Sequence, residues 1–183
     1  MFKQPEKLND CIADLRYMKT AIIYASKHGT TEKIAVSIAE KLKETNEVVL
    51  FSLKKNANPD ISGFEMVILG SHIYMGQASG KMKNFCQKNE SVLLQKKTGL
   101  FVCGMHPDKT QRVKELQETY PEVLRKNAAA TEFIGGEFLF EQLNFFEKLI
   151  IKKVASVTTS ASEINWNTVD MFVSRLTCEK YLP

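Results

Sequence analysis

Short apolar runs rich in β-branched residues alternate along the chain with longer segments of helical periodicity. The apolar runs predict five strands, at 19–25, 47–53, 66–71, 99–104 and 131–138. Helical periodicity predicts helices over 31–44, 80–95, 109–126 and 165–177. Strands joined by crossover helices run parallel, and both faces of such a sheet need covering helices. The pattern therefore predicts an α/β fold, a three-layer sandwich with a five-stranded parallel sheet and helices on both faces.

The chain has 183 residues, enough for one hydrophobic core, and its strand–helix pattern begins at Lys19. We assign residues 18–183 to a single domain and residues 1–17 to an N-terminal extension. After the fifth strand the alternation is interrupted by an insertion whose residues 141–155 have the pattern of an amphipathic helix with a basic end.

Two interpretations of the insertion follow from its apolar face. In the first interpretation, residues 139–155 either make a peripheral membrane contact or cover a bound hydrophobic substrate. Alternatively, the apolar face packs on the core of the domain or forms a homodimer interface. The sequence pattern alone does not choose between these interpretations.

Composition narrows the classes of function. Hydrophobic residues make up 44% of the chain and charged residues 25%, as in ordinary globular proteins. The 25 Lys and Arg residues are interspersed with 21 Asp and Glu residues, which argues against a nucleic-acid interface. No apolar run approaches the roughly 20 residues of a membrane-spanning helix, and no signal peptide is visible. We therefore expect a cytoplasmic protein, associated with the inner membrane surface if the insertion contacts lipid.

The loop after the first predicted strand is the first candidate for ligand chemistry. In a doubly wound sheet, ligands bind beyond the carboxyl ends of the strands, where the strand order reverses. This loop combines a glycine, three hydroxyls and a helix start, in the run Ser26, Lys27, His28, Gly29, Thr30 and Thr31. Unpaired N–H groups and the helix dipole favour an anion there. The alternative is that a hydroxyl of this loop only caps the helix.

Two further loops follow the third and fourth predicted strands. The first contains an aromatic ring that a flat ligand could stack on, in the run Ser71, His72, Ile73, Tyr74, Met75 and Gly76. The second opens on a glycine and contains Gly104, Met105 and His106. The alternative for Tyr74 is a ring that only caps the core. The loops contain no paired carboxylates and no nucleophile with a neighbouring base, so we assign no catalytic side chain.

The histidines and cysteines raise the question of a metal or redox site. All three histidines fall in the three predicted ligand loops, but no carboxylate or thiolate shares their spacing. We therefore predict no metal site. The four cysteines are far apart in the sequence and are expected to be free thiols.

Three stretches of sequence resemble one known family. They are IIYASKHGTTEKIA at 22–35, VILGSHIYMGQASGKMKNF at 67–85 and GGEFLFEQLNFFEKLIIKKVA at 135–155. The chain resembles the flavodoxin-fold, FMN-binding family that includes the quinone-dependent protoporphyrinogen oxidase of bacteria. The resemblance extends over 18–176 and implies a flavodoxin-like fold with FMN as cofactor.

The resemblance also implies roles for the three loops. Residues 26–31 would hold the FMN phosphate. Ile73, Tyr74, Met75 and Gly76 would flank the isoalloxazine ring, after Ser71 and His72 at the strand end. Gly104, Met105 and His106 would lie on the other side of the ring. The chain departs from typical flavodoxins in being basic and in lacking an aromatic residue at 104–108.

Two functions are compatible with this resemblance. The first is an FMN-dependent oxidoreductase, similar to protoporphyrinogen oxidase and with a quinone acceptor, which the insertion favours. The alternative is a flavodoxin-type carrier that passes electrons between protein partners without a small-molecule substrate. A third possibility, a regulatory module with a degenerate flavin site, conflicts with the intact hydroxyl-rich loop.

Overall fold

A computed structural model describes residues 18–138 and 161–178. The strands are β1 (Met18–Ala25), β2 (Asn46–Ser52), β3 (Met66–Tyr74), β4 (Gln77–Ala78), β5 (Lys97–Cys103), β6 (Ala130–Phe133), β7 (Glu137–Phe138) and β8 (Ala161–Ser162). The helices are α1 (Thr30–Leu42), α2 (Gly80–Leu93), α3 (Lys109–Thr119), α4 (Glu122–Asn127) and α5 (Trp166–Thr177). The predicted extension at 1–17 and the predicted helix at 141–155, with its proposed membrane contact, lie outside the described residues.

The main sheet has the strand order β2-β1-β3-β5-β6, and all four pairings along this path are parallel. The predicted five-stranded parallel sheet is therefore confirmed. This is the doubly wound order of flavodoxin-like sheets, in which the order reverses between β1 and β3. β4 pairs antiparallel with the end of β3, and β7 and β8 form a separate two-stranded sheet.

Side chains of the central strands alternate between two buried cores. Ile22 and Tyr24 face the core that α1 and α5 cover. Ala21 and Ile23 face the opposite core, which α2, α3 and α4 cover. Burial on both sides explains why the strands are apolar throughout rather than alternating in polarity. The three-layer arrangement places the loops at the carboxyl ends of the strands along one edge.

The predicted helix at 109–126 is wrong as a single helix, because it is split into α3 and α4. The break follows from Pro121, which lacks a backbone N–H, and from Tyr120, which is extended with φ −121° and ψ 135°. Tyr120 is 1% exposed and donates its hydroxyl hydrogen to backbone carbonyls in the sheet. The break therefore places the Tyr120 ring in the core between the sheet and α2, α3 and α4.

The predicted strand at 131–138 is also wrong as a single strand. β6 ends at Phe133, and β7 begins at Glu137 in the other sheet. Gly135 has a φ of +96°, which breaks the extended conformation. The chain nevertheless stays beside β5, because Gly104 donates its N–H to the Gly135 carbonyl at 3.2 Å.

β3 continues three residues beyond its predicted end at Ser71, and the reason is a tight hairpin with β4. Tyr74 pairs with Gln77, and the two residues between them, Met75 and Gly76, have φ values of 50° and 72°. Positive φ at both central positions is the pattern of a type I′ turn, for which Asn-Gly is the preferred sequence. Met75 therefore has a backbone conformation that Asn or Gly adopts more readily than Met.

The substitution Met75→Asn is expected to raise the free energy of unfolding by about 0.5–1 kcal/mol, because Asn tolerates the left-handed region better. Met75 is 67% exposed, so little packing is lost. Urea unfolding followed by circular dichroism measures the change. A midpoint at or below that of the wild type would show that Met75 is not strained in this turn.

Candidate flavin site

Three loops meet at the edge of the sheet where its strand order reverses. Residues 26–29 connect β1 to α1, the 75–76 turn ends the extension of β3, and residues 104–108 connect β5 to α3. The loop after β5 lies against the end of β3 at Gly104. A Cβ atom added at Gly104 would lie 3.2 Å from the Ile73 Cβ atom. Ligands of doubly wound sheets bind at this edge. The structure therefore brings together the three loops that the sequence indicated.

The first loop presents the N-terminus of α1 without a side-chain cap. Gly29 occupies the N-cap position with φ 89°, and α1 has no side-chain cap hydrogen bond within residues 18–138 and 161–178. Instead the Ser26 Oγ atom accepts from the Gly29 N–H at 3.0 Å, which closes the loop on itself. The simple capping interpretation of this loop is therefore wrong. The first-turn N–H groups of α1 are left for an anion.

The two threonines of this loop occupy different environments. The Thr30 hydroxyl donates to the Glu137 carbonyl oxygen at 3.1 Å, so its hydrogen is already used within the protein. The Thr31 hydroxyl oxygen is fully buried and forms no hydrogen bond of standard geometry among residues 18–138 and 161–178. Its polar neighbour is the Cys103 thiol, whose pKa burial raises and the Thr31 hydroxyl lowers by a smaller amount. Donation to a phosphate would require the Thr31 hydroxyl to turn from Cys103 towards the first turn of α1, so the N–H groups of that turn are the main donors for an anion.

The sheet of β7 and β8 contacts the start of α1. Lys33 Nζ lies 2.7 Å from the Glu137 Oε2 atom, and the Ser162 hydroxyl donates to the same oxygen at 3.4 Å. Lys33 balances the Glu137 carboxylate, which would otherwise repel a phosphate at the helix end. Glu137, which directly precedes the insertion, therefore contacts the first residues of α1 beside the candidate phosphate loop.

Tyr74 contacts two residues of the candidate phosphate loop. The Lys27 ammonium lies 3.0 Å from the centroid of the Tyr74 ring, and the His28 ring lies 5.7 Å from it at an interplanar angle of 53°. A cation over an aromatic face is attracted by the ring quadrupole. A flat ligand that stacked on the face covered by Lys27 would have to displace that side chain.

His72 lies between these loops. Its Nδ1 atom is 3.0 Å from the Ala25 carbonyl oxygen, and a carbonyl only accepts, so Nδ1 carries the hydrogen. Burial lowers the pKa of His72 from its usual value of 6.5, more than the Ala25 carbonyl raises it, and the charges of Lys27 and His28 lower it further. His72 is therefore neutral at pH 7.

This lowered pKa predicts a pH-dependent stability. Below about pH 6.5 the unfolded chain binds the His72 proton more readily than the folded chain, so folding stability falls as the pH falls. The slope from one such group reaches at most about 1.4 kcal/mol per pH unit. The variant His72→Gln keeps a donor for Ala25 and removes the titration. We expect the stability advantage of the wild type over this variant to shrink between about pH 7.5 and about pH 5, measured by urea unfolding; an advantage independent of pH would contradict the assignment.

The third loop is held by backbone contacts and by α3. The His106 Nδ1 atom accepts from the Asp108 N–H at 3.1 Å, and Arg112 donates to the His106 carbonyl. Asp108 caps α3 through the Thr110 N–H at 2.7 Å. Met105 packs beside Gly136, where a Cβ would lie 2.8 Å from its Cγ atom. This loop is therefore held by hydrogen bonds between side chains and backbone, and Gly104 packs against the Phe133 ring.

A cavity of about 700 Å³ opens beside the first two loops. Four of the sequence-predicted residues line it, namely Ser26, Lys27, His72 and Tyr74. Gly104, Met105 and His106 do not. The remaining lining residues were missed by sequence reasoning, and they are Ala25, Lys54, Gln77, Ala78, Ser79, Gly80, Lys81 and Asn84. The signal for Lys54 and Lys81 was available, because both follow strand ends at the edge where ligands bind.

Cys86, Cys103 and Cys178 are free thiols, as expected for the described part of the chain. Burial raises the pKa of both Cys86 and Cys103 to about 12, so neither forms a thiolate at neutral pH. The described residues contain no group of three or more His, Cys, Asp or Glu side chains that could hold a metal ion. Within the same residues, no helix is long and apolar enough to cross a membrane.

The strand order and the loops at the switch point define an α/β protein of the flavodoxin-like class. A sequence model of the family described as flavodoxin domain matches residues 21–165, and the chain belongs to this family. A search of curated proteins found no significant match.

Solved structures agree with the fold. The flavodoxin of Streptococcus pneumonia TIGR4 is 19% identical, with 86% of this chain and 96% of that chain covered and a TM-score of 0.53. Oxidised flavodoxin 2 from Bacillus cereus is 26% identical over 64% of this chain and 84% of that chain, with a TM-score of 0.51. Rubredoxin oxygen:oxidoreductase from Desulfovibrio gigas is 15% identical with a TM-score of 0.59 over 90% of this chain, which spans 37% of that longer protein.

Proposed function

We propose that the protein is an FMN-dependent oxidoreductase whose flavin lies at the switch point between β1 and β3. The observation that carries the proposal is the first turn of α1, which has no side-chain cap among the described residues and follows a turn closed by the Gly29 N–H on the Ser26 Oγ atom. The N-terminus of a helix with unpaired N–H groups is a binding site for anions such as phosphate. Membership of the flavodoxin domain family supports FMN as the molecule that carries the phosphate.

The residues present fit this cofactor. The Ser26 oxygen accepts from Gly29 and keeps its own hydrogen for a phosphate oxygen, next to the first-turn N–H groups of α1. Tyr74 and its neighbours in the β3–β4 hairpin would flank one side of the isoalloxazine, and residues 104–106 would flank the other. The bound flavin would supply the redox chemistry. The protein's part is to bind the phosphate, orient the ring and exclude water from it.

The electron donor we propose is protoporphyrinogen and the acceptor a quinone. Support for this comes from the resemblance of 67–85 and 135–155 to the family that includes the quinone-dependent protoporphyrinogen oxidase. The attachment of the insertion to α1 through Glu137 adds support, because it joins the distinctive segment to the flavin site.

The alternative is an electron carrier between proteins. One observation favours it: Met75 is 67% exposed at the tip of the hairpin that would hold the flavin. An apolar side chain at that position is suited to contact a docking partner. Both functions use the same flavin site and differ in whether a small molecule reduces it.

An absorbance experiment separates the two functions. Protein saturated with FMN is mixed anaerobically with protoporphyrinogen and then with a menaquinone analogue. We expect the flavin absorbance to be bleached by the first addition and restored by the second. A bound flavin that responds to neither addition would favour the carrier, and protein that binds no FMN would contradict both functions.

A further inference from the structure

The cavity beside the phosphate loop carries three positive charges and no negative one. Its lining includes Lys27, Lys54 and Lys81, and none of its lining residues is an Asp or Glu. Its volume of about 700 Å³ is that of a small-molecule site. Lys27 already lies over the Tyr74 ring, whereas the exposed Lys54 and Lys81 ammonium groups on the same concave surface would be stabilised by an anion between them.

Two of these lysines are positioned by backbone geometry. Lys54 follows β2 in a turn that is fixed by the Leu53 N–H on the Tyr24 carbonyl at 2.9 Å. Lys81 lies in the first turn of α2, at the positive end of that helix. Neither ammonium forms an ion pair or a hydrogen bond with any residue of the described chain. Their charges are therefore available to a ligand.

Ser79 adds a second and independent indication of a ligand. It lines the cavity at the N-cap of α2 and is only 8% exposed. Its hydroxyl caps no N–H group of α2 and forms no hydrogen bond within 18–138 or 161–178. The oxygen is not one of the fully buried unpartnered atoms of these residues, so it is open to the cavity that Ser79 lines. An anion at the start of α2 would accept from this hydroxyl and from the first-turn N–H groups.

We propose that this cavity binds a small molecule bearing at least two anionic groups, carboxylates or phosphates, between Lys54, Lys81 and the start of α2. Lys27 and Tyr74 lie at the side of the cavity that it shares with the candidate flavin site. The position of the ligand beside the flavin rests on the proposed function. The binding of the anion by this cavity does not depend on that function. A concave site fits a small molecule better than an acidic surface of a partner protein.

The test uses FMN-saturated protein, so that the probes do not occupy the phosphate loop. Isothermal titration calorimetry at constant ionic strength measures the affinity for pyrophosphate and for citrate, which separate phosphate from carboxylate recognition. The cavity variant is Lys54→Gln with Lys81→Gln. The matched control is Lys55→Gln with Lys83→Gln, two exposed neighbours that change the net charge equally and do not line the cavity.

We expect the cavity variant to bind at least one probe about tenfold more weakly than the wild type, and the control to bind it within about twofold. FMN affinity is expected to be the same in all three proteins. Absence of binding by both probes, or equal weakening in both variants, would overturn the proposal. Binding of hexaglutamate alone would also overturn it and indicate an acidic protein partner. Protein that binds no FMN but shows the lysine-dependent anion affinity would contradict the proposed function and leave this proposal standing.

Discussion

The substitution Gly135→Ala is expected to lower the free energy of unfolding by about 3 kcal/mol or more. Gly135 has a φ of +96°, and a Cβ there would lie 2.1 Å from the Glu163 carbonyl oxygen. The clash is with backbone, so no side-chain rotation relieves it. Urea unfolding of the wild type and the variant measures the loss.

The matched control for this variant is Gly63→Ala. A Cβ at Gly63 has no atom within 4 Å, and its φ is not positive. We expect that control to keep the stability of the wild type or to exceed it slightly. A Gly135 variant as stable as the Gly63 variant would mean that the chain does not pass between Gly104 and Glu163 as described.

The double substitution Ser26→Ala with Thr31→Val is expected to weaken FMN binding by about 10- to 100-fold. Each hydroxyl donates to a charged phosphate in our assignment, and a hydrogen bond to a charged group contributes about 1.5–3 kcal/mol before compensation by water. Quenching of FMN fluorescence in a titration measures the affinity.

Stability separates a binding role from a structural one in this experiment. The Thr31 hydroxyl lies against the Cys103 thiol and forms no hydrogen bond of standard geometry within the described residues, so Thr31→Val alone is expected to change the melting temperature little. The control Ser37→Ala changes a hydroxyl of α1 away from the loop and should leave FMN affinity unchanged. Unchanged FMN affinity in the double variant would remove this loop from the phosphate site.

Much of the fold follows from periodicity alone. The parallel strands are buried on both faces, so their apolar runs stand out between helical segments, and the predicted boundaries of β1, β2 and α2 are within two residues of those observed. The wrong predictions of helix and strand boundaries lie where one or two residues change the backbone conformation. Pro121 divides a helical pattern, Gly135 divides an apolar run, and the Met75–Gly76 turn prolongs β3 through a pairing that periodicity does not show.

The site was predicted less completely than the fold. Sequence position identified the three loops, because strand ends in a parallel sheet share one edge. It did not reveal that the Thr30 hydroxyl donates to Glu137, 107 residues away, or that Lys27 covers the Tyr74 ring. Such contacts depend on packing between segments far apart in the chain. Lys54 and Lys81 are different, because their positions after strand ends could have indicated them from the sequence; only the cavity that they line depends on the fold.

The most direct test of the central claim compares FMN with riboflavin, which lacks the phosphate. Both are titrated into the purified protein and followed by flavin fluorescence. The account predicts one FMN bound per chain and an affinity for riboflavin at least about tenfold weaker, because the first turn of α1 and the loop before it recognise the phosphate. Equal affinities for the two flavins, or no binding of either, would contradict it.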